Sequence, residues 1–207
     1  MDVRGLYLIT NDDDFDVLYA KLQAALATEQ LALLQYRRKT IDKTKQYTEI
    51  EQIQHLCQRY DVPLIINDDL EQAAHFGLHL HLGQNDGSLQ EARRVLGEKC
   101  IIGRTCLNSV ALAEQAIADG SSYVAFGAIY GSQTKPQAIT SGLTVVQQAA
   151  QHIEVPICAI GGLRVENAAA VISAGASLCA VVGDILSRDV SEIPQRIEAW
   201  ATLFERD

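Results

Sequence analysis

Eight short apolar runs recur along this chain, each six to eight residues long and separated by longer stretches of mixed polarity. They are GLYLIT (5–10), LALLQYR (31–37), PLIIND (63–68), LHLHLG (78–83), CIIGRT (100–105), SYVAFGAI (122–129), PICAIGG (156–162) and LCAVVG (178–183). Their length and apolar character read as buried strands. Between them, LYAKLQAALATE, YTEIEQIQHLCQRY, SLQEARRVLG, SVALAEQAIADG and RVENAAAVISAG carry apolar residues at helical spacing. Ser88 and Asn108 read as helix N-caps, and Gly97, Gly120 and Gly175 as helix stops. Eight strand–helix units of roughly 26 residues predict an α/β fold, a (β/α)8 TIM barrel. A doubly wound sheet is the rival, and the absence of an early GxGxxG counts against it. No linker or low-complexity tract divides the chain, so residues 1–207 are expected to form a single domain.

Bulk properties narrow the function. A net charge of -9 disfavours a nucleic-acid surface, so no nucleic-acid partner is expected. No apolar run approaches the roughly 20 residues that span a bilayer, so no membrane association is expected either. The first residues, MDVRGLYLITNDDD, lack a basic segment followed by an apolar one and do not read as a secretory signal. The five cysteines form no CxxC pair and read as reduced, mostly buried thiols, which suggests a cytoplasmic protein.

In a barrel, sites form where strands end and loops begin at the C-terminal face. The stretch LLQYRRK places Gln35, Arg37 and Lys39 on one strand face, with Leu34 and Tyr36 turned to the helices. Arg38 reads as a surface charge. Other strand ends supply Asn67-Asp68-Asp69, Gly83-Gln84-Asn85-Asp86 and Arg104-Thr105. Ser132, Thr134 and Lys135 lie in a polar loop with the length of a functional one. Gly161-Gly162 and Val182-Gly183 follow strands seven and eight. Singly, each has a bland explanation: an Asn-Asp-Asp turn or cap, a solvated lysine, a tight Gly-Gly turn. Together they gather cations, carboxylates and hydroxyls at one end.

That set suits a diphosphate and a hard metal. Mg2+ takes carboxylate and phosphate oxygens, which Asp68 and Asp86 can share with a ligand. Arg37 can grip phosphate oxygens bidentately, while Lys39 and Lys135 act as point charges. Backbone amides after strands seven and eight form the usual barrel site for a second phosphate. Two phosphate sites in one mouth suggest two small phosphorylated substrates being joined. His79 and His81 alternate on strand four and read as inner-face, hydrogen-bonded side chains rather than metal ligands. His55, His75 and His152 read as helix-surface residues, and Cys106 lies near the site without a catalytic assignment.

In order, LYLIT, QYRRK, LIINDD, HLGQND, IIGRT, GAIYGSQTK, AIGGL and AVVG closely resemble the thiamine-phosphate synthase family across nearly the whole chain. The resemblance implies a transferase on a (β/α)8 barrel. Its substrates would be 4-amino-2-methyl-5-hydroxymethylpyrimidine diphosphate and 4-methyl-5-(2-hydroxyethyl)thiazole phosphate, and its products thiamine monophosphate and pyrophosphate. It implies Mg2+ as cofactor, held by Asp68 and Asp86. It implies Gln35, Arg37, Lys39, Asn67 and Lys135 as the diphosphate clamp, with Thr105 in place of a common Ser. Ser132 and Thr134 match the closing loop, and Gly162, Val182 and Gly183 the thiazole-phosphate site. By the same match Arg37, Lys39, Lys135 and Thr105 would act in catalysis through a dissociative step. After strand eight the family commonly has Ser and then a small apolar residue. Here stand Gly183 and Asp184, an acid that repels phosphate unless its carboxylate turns away or caps the helix. Rival readings are a thiazole tautomerase of the same superfamily and a non-catalytic thiamine-phosphate-binding relative. A monomer or small homo-oligomer fits the size.

Overall fold

A computed structural model describes residues 3–131 and 142–205. Its strands are β1 (Gly5–Ile9), β2 (Leu31–Tyr36), β3 (Leu64–Asn67), β4 (His79–Leu82), β5 (Ile102–Leu107), β6 (Tyr123–Phe126), β7 (Ile157–Ile160) and β8 (Leu178–Val181). Each pairs in parallel with its sequence neighbours, and β8 closes onto β1 to complete the barrel. The helices are α1 (Phe15–Leu26), α2 (Lys43–Arg59), α3 (Leu70–Phe76), α4 (Leu89–Leu96), α5 (Val110–Ala118), α6 (Thr144–Ala150), α7 (Val165–Ser173), α8 (Gly183–Leu186) and α9 (Ile193–Phe204). The TIM barrel expected from the repeat is therefore the observed fold.

Two differences from the sequence reading have local causes. Most strands are shorter than their apolar runs, because the backbone leaves the extended region where the run meets its loop. Asp68, for example, sits just past β3 with φ of 64°. β5 instead starts later and runs on through an irregularity between Thr105 and Leu107. Secondly, α5 is capped by Ser109, not Asn108: Ser109 accepts from the Leu112 amide. Ser88 does cap α4, and Asp14, Asp42 and Asp69 cap α1, α2 and α3 in the same way. Each such cap satisfies an amide that the helix leaves unbonded.

Strand alternation divides the core into two layers. Leu6, Leu8, Leu34, Tyr36, Ile66, Leu80, Val124 and Val181 pack outward against the helices. Tyr7, Ile9, Leu33, Ile65, Tyr123, Ala125, Cys158, Leu178 and Ala180 fill the barrel interior. Tyr123 fits inside only because Gly103 has no side chain: a Cβ there would overlap its ring. The ring is fully buried and cannot swing aside.

Gly103→Ala is expected to lower stability by roughly 1–3 kcal/mol through overpacking. Chemical denaturation measures this directly, and an unchanged midpoint would contradict the packing account.

Candidate active site

The mouth is assembled from the loops that follow the strands. Beyond β2 the chain keeps its alternation for three more residues. Gln35 is buried inside the barrel and donates to the Tyr7 hydroxyl at 2.6 Å. Arg37 is half-buried, and its backbone is held on both sides by Thr10. The Arg37 amide donates to Thr10 Oγ1 at 2.8 Å, and that hydroxyl donates to the Arg37 carbonyl at 3.2 Å. The Arg37 guanidinium has no acceptor among the described residues, so this charge is uncommitted.

Arg38 is not a surface charge. It is only 4% exposed and turns outward between the barrel and α2. Its Nε lies 3.1 Å from Glu49 Oε2 in an ion pair but makes no hydrogen bond among the described residues. Tyr36 donates to the same Glu49 oxygen at 2.6 Å. Gln46 donates to the carbonyls of Arg38 and Ile41, both at 2.9 Å. The loop carrying Arg37 and Lys39 is thus tied to α2 through side chains and backbone together.

Asp68 is the most heavily engaged carboxylate at the mouth. Its Oδ2 accepts from Lys39 Nζ and from Asn67 Nδ2, each at 2.7 Å, and its Oδ1 accepts from the Gly83 amide at 3.0 Å. Burial opposes its ionisation, but the Lys39 ammonium, the Gly83 amide and Asn67 outweigh that and hold its pKa below the usual carboxylate range. Asp86 reaches the same place from the loop after β4. A Cβ on Gly83 would overlap Asp86 Oδ2 and lie 3.6 Å from Asp68 Oδ1, so both carboxylates border the space beside that glycine. Arg104 fixes the loop by donating to the carbonyls of Gly87 at 2.9 Å and Gln84 at 3.1 Å. Gln84 in turn donates to the Thr105 carbonyl.

His81 lies inside the barrel with Tyr123 on Nδ1 and Thr105 on Nε2, each at 2.8 Å. Burial lowers its pKa to about 4, so the ring is neutral at neutral pH. The inner-face reading of His81 therefore holds. Burial pushes the Cys106 thiol up to about 12, which leaves no thiolate for catalysis. All five cysteines are free and buried, as their spacing suggested.

Across the mouth, Gly161 and Gly162 turn with φ of 104° and 66°, a conformation that favours glycine. Val182 and Gly183 open the short helix α8. Asp184 follows them but faces away from the mouth. Its carboxylate is 3% exposed and accepts from Trp200 Nε1 at 2.8 Å and Arg196 Nε at 3.0 Å, both on α9. Arg196 also forms a two-pronged pair with Glu166 at 2.6 and 2.8 Å. The acid beside the glycine loops is thus neutralised and turned toward the helices. Ser132, Thr134 and Lys135 lie outside the described residues.

The structure brings Gln35, Arg37, Lys39, Asn67, Asp68, Asp86 and Thr105 to one end of the barrel. Sequence reasoning missed Tyr7, Thr10 and Tyr123, and it placed Arg104 at the strand end without its role in fixing the Gln84–Gly87 loop. Tyr7 and Tyr123 carried a readable signal, a polar-tipped aromatic at an inner-facing strand position.

The model of the thiamine monophosphate synthase family matches residues 6–185. The chain belongs to that family. A solved thiamine phosphate pyrophosphorylase from Pyrococcus furiosus is 21% identical, with 99% of this chain and 96% of that one covered and a TM-score of 0.85. One from Bacteroides thetaiotaomicron is 17% identical, with 97% and 98% covered and a TM-score of 0.68. A geranylgeranylglyceryl phosphate synthase from Thermoplasma acidophilum is 16% identical, with 98% and 93% covered and a TM-score of 0.69. At these identities the structural likenesses speak for the barrel, and the family assignment rests on the sequence model.

Unfolding returns the buried ring of His81 to the ordinary histidine range near 6.5. Below that, the unfolded chain binds a proton that the folded chain refuses. Stability is then full above about pH 6.5 and falls as pH drops toward about 4. His79, also lowered by burial, acts in the same direction. Denaturation free energies measured across this window are expected to decline on the acid side. A flat profile would contradict a neutral, desolvated His81.

Proposed function

We propose that this protein joins 4-amino-2-methyl-5-hydroxymethylpyrimidine diphosphate to 4-methyl-5-(2-hydroxyethyl)thiazole phosphate, releasing pyrophosphate and thiamine monophosphate. One observation carries this reading. The carboxylates of Asp68 and Asp86 both border Gly83, with the lysine that holds Asp68, while Arg37 at the neighbouring strand end has no acceptor for its guanidinium among the described residues.

The donor set fits Mg2+. It consists of two carboxylates, oxygen donors of the kind a hard cation takes alongside phosphate and water, and no group of three or more His, Cys, Asp or Glu able to hold a metal is found among the described residues. Asp68 and Asp86 would hold the ion. When bound, Mg2+ would supply positive charge to the departing diphosphate.

The chain's own residues supply the rest. Arg37 binds phosphate oxygens as a planar fork, on a backbone that Thr10 has already fixed. Lys39, its side chain 53% exposed, holds Asp68 and would turn its ammonium to a phosphate oxygen of the bound diphosphate. Asn67 keeps Asp68 oriented. Departure of diphosphate leaves a stabilised pyrimidinylmethyl cation, which the thiazole nitrogen then attacks. Such a step calls for no side-chain nucleophile, in keeping with the protonated state of Cys106. It calls for fixed charge on the leaving group. The Gly161–Gly162 turn and Gly183 offer backbone amides to the thiazole phosphate, and the outward turn of Asp184 removes the repulsion its position threatened. In this reading Lys135 belongs to the diphosphate clamp, and Ser132 and Thr134 contact the substrates.

The test is a coupling assay on purified protein with both substrates, with and without Mg2+. Thiamine phosphate is expected only when Mg2+ is present, and no product from folded protein would reject the reading. Arg37→Ala and Asp68→Asn are each expected to lose about 100-fold or more in rate while staying folded by circular dichroism. If both kept near wild-type rates, the diphosphate assignment would be wrong.

A further inference from the structure

Five side chains form one unbroken hydrogen-bonded line through the barrel interior. Gln35 Nε2 donates to Tyr7 Oη at 2.6 Å, and the hydroxyls of Tyr7 and Tyr123 are 2.9 Å apart. Tyr123 Oη is 2.8 Å from His81 Nδ1, and His81 Nε2 is 2.8 Å from Thr105 Oγ1. The line starts at the end of β2 and emerges at the mouth on β5.

Hydroxyls and a neutral imidazole both donate and accept, so distances alone give the line no direction. Counting protons does. An amide N–H can only donate, so Tyr7 accepts from Gln35. Tyr7 has Gln35 and Tyr123 as its only hydrogen-bond partners among the described residues. Its single proton therefore goes to Tyr123, which sends its own to His81 Nδ1. An imidazole that accepts at Nδ1 carries its proton on Nε2, and that proton goes to Thr105 Oγ1. The reverse order, or a doubly protonated ring, would strand the proton of the buried Tyr7 hydroxyl without an acceptor, a costly state in an interior. Thr105 Oγ1 has no other partner among the described residues, so its own proton is left for the mouth.

We propose that Tyr7, Tyr123 and His81 are positioning residues that fix the Thr105 hydroxyl as a hydrogen-bond donor to an anionic ligand oxygen at the mouth. The ligand part of this proposal rests on the diphosphate reading of the site. A lone threonine hydroxyl would rotate to suit either a donor or an acceptor. This one already accepts from within the barrel and meets a phosphate oxygen proton first.

The test reads the His81 tautomer in the full-length protein labelled with 15N-histidine. Long-range 1H–15N correlations are assigned by replacing the other four histidines one at a time. The expected result is a proton on Nε2 and a bare Nδ1. Tyr123→Phe, which removes the donor to Nδ1, is expected to give a mixture of the two tautomers. A second arm titrates Mg2+ with inorganic pyrophosphate into the protein by calorimetry. Thr105→Ser is expected to match wild type, and Thr105→Val to bind about tenfold more weakly, the scale of one hydrogen bond to a charged group. A proton on Nδ1 in wild type would mean that the Gln35 carboxamide is rotated and the line runs inward, which overturns the proposal. Equal affinity in Thr105→Val would overturn it too. Wild-type protein with the Nε2 proton that binds no magnesium pyrophosphate would support the line and count against the synthase reading.

Discussion

Inside a closed eight-stranded barrel, an inward-facing polar atom has no edge strand or open sheet face to turn to. It must find a partner in the interior or reach water at an end. Everything at the mouth is built on this constraint. Tyr7, Tyr123 and His81 meet it by bonding to one another, and so become a rigid polar floor between Gln35 and Thr105. Gly103 makes room for the floor, and burial keeps His81 neutral within it.

The rim above is held by longer-range ties. Asp68 adopts a positive φ that costs a non-glycine residue on the order of 1–3 kcal/mol. The Asp68 amide donates to the His81 carbonyl at 2.8 Å, and its carboxylate takes three further hydrogen bonds. These contacts offset the strain and point the carboxylate toward Asp86. Arg38 is a second case, because a buried cation is tolerated only with a partner. Glu49 supplies the opposite charge, and the loop bearing Arg37 and Lys39 is thereby tied to α2. Both devices spend local stability on the placement of a few charges.

Much of this was legible in the sequence because it follows short-range rules. Period-two strands, the strand–helix repeat and the side-chain caps gave the barrel, and QYRRK, NDD and GQND marked the ends that converge. Asp69 proved to be a cap while Asp68 beside it faces the mouth, a division that the trio NDD alone does not reveal. What stayed hidden depends on partners far along the chain. Arg38 reads as a surface charge until Glu49 is seen beside it. Asp184 reads as a repulsive acid until α9 brings Arg196 and Trp200 to it. The inner line escaped notice because its members come from five different strands, and no local pattern joins Tyr7 to Tyr123.

The central claim is that two carboxylates from separate loops share one hard cation beside the Arg37 fork. Its most direct measurement is a crystal structure of the protein with Mn2+ and pyrophosphate, in which the metal is located by its anomalous scattering. The account predicts one Mn2+ within bonding distance of both Asp68 and Asp86, with the pyrophosphate bridging it to Arg37. Manganese bound elsewhere, or pyrophosphate seated away from Arg37, would contradict it.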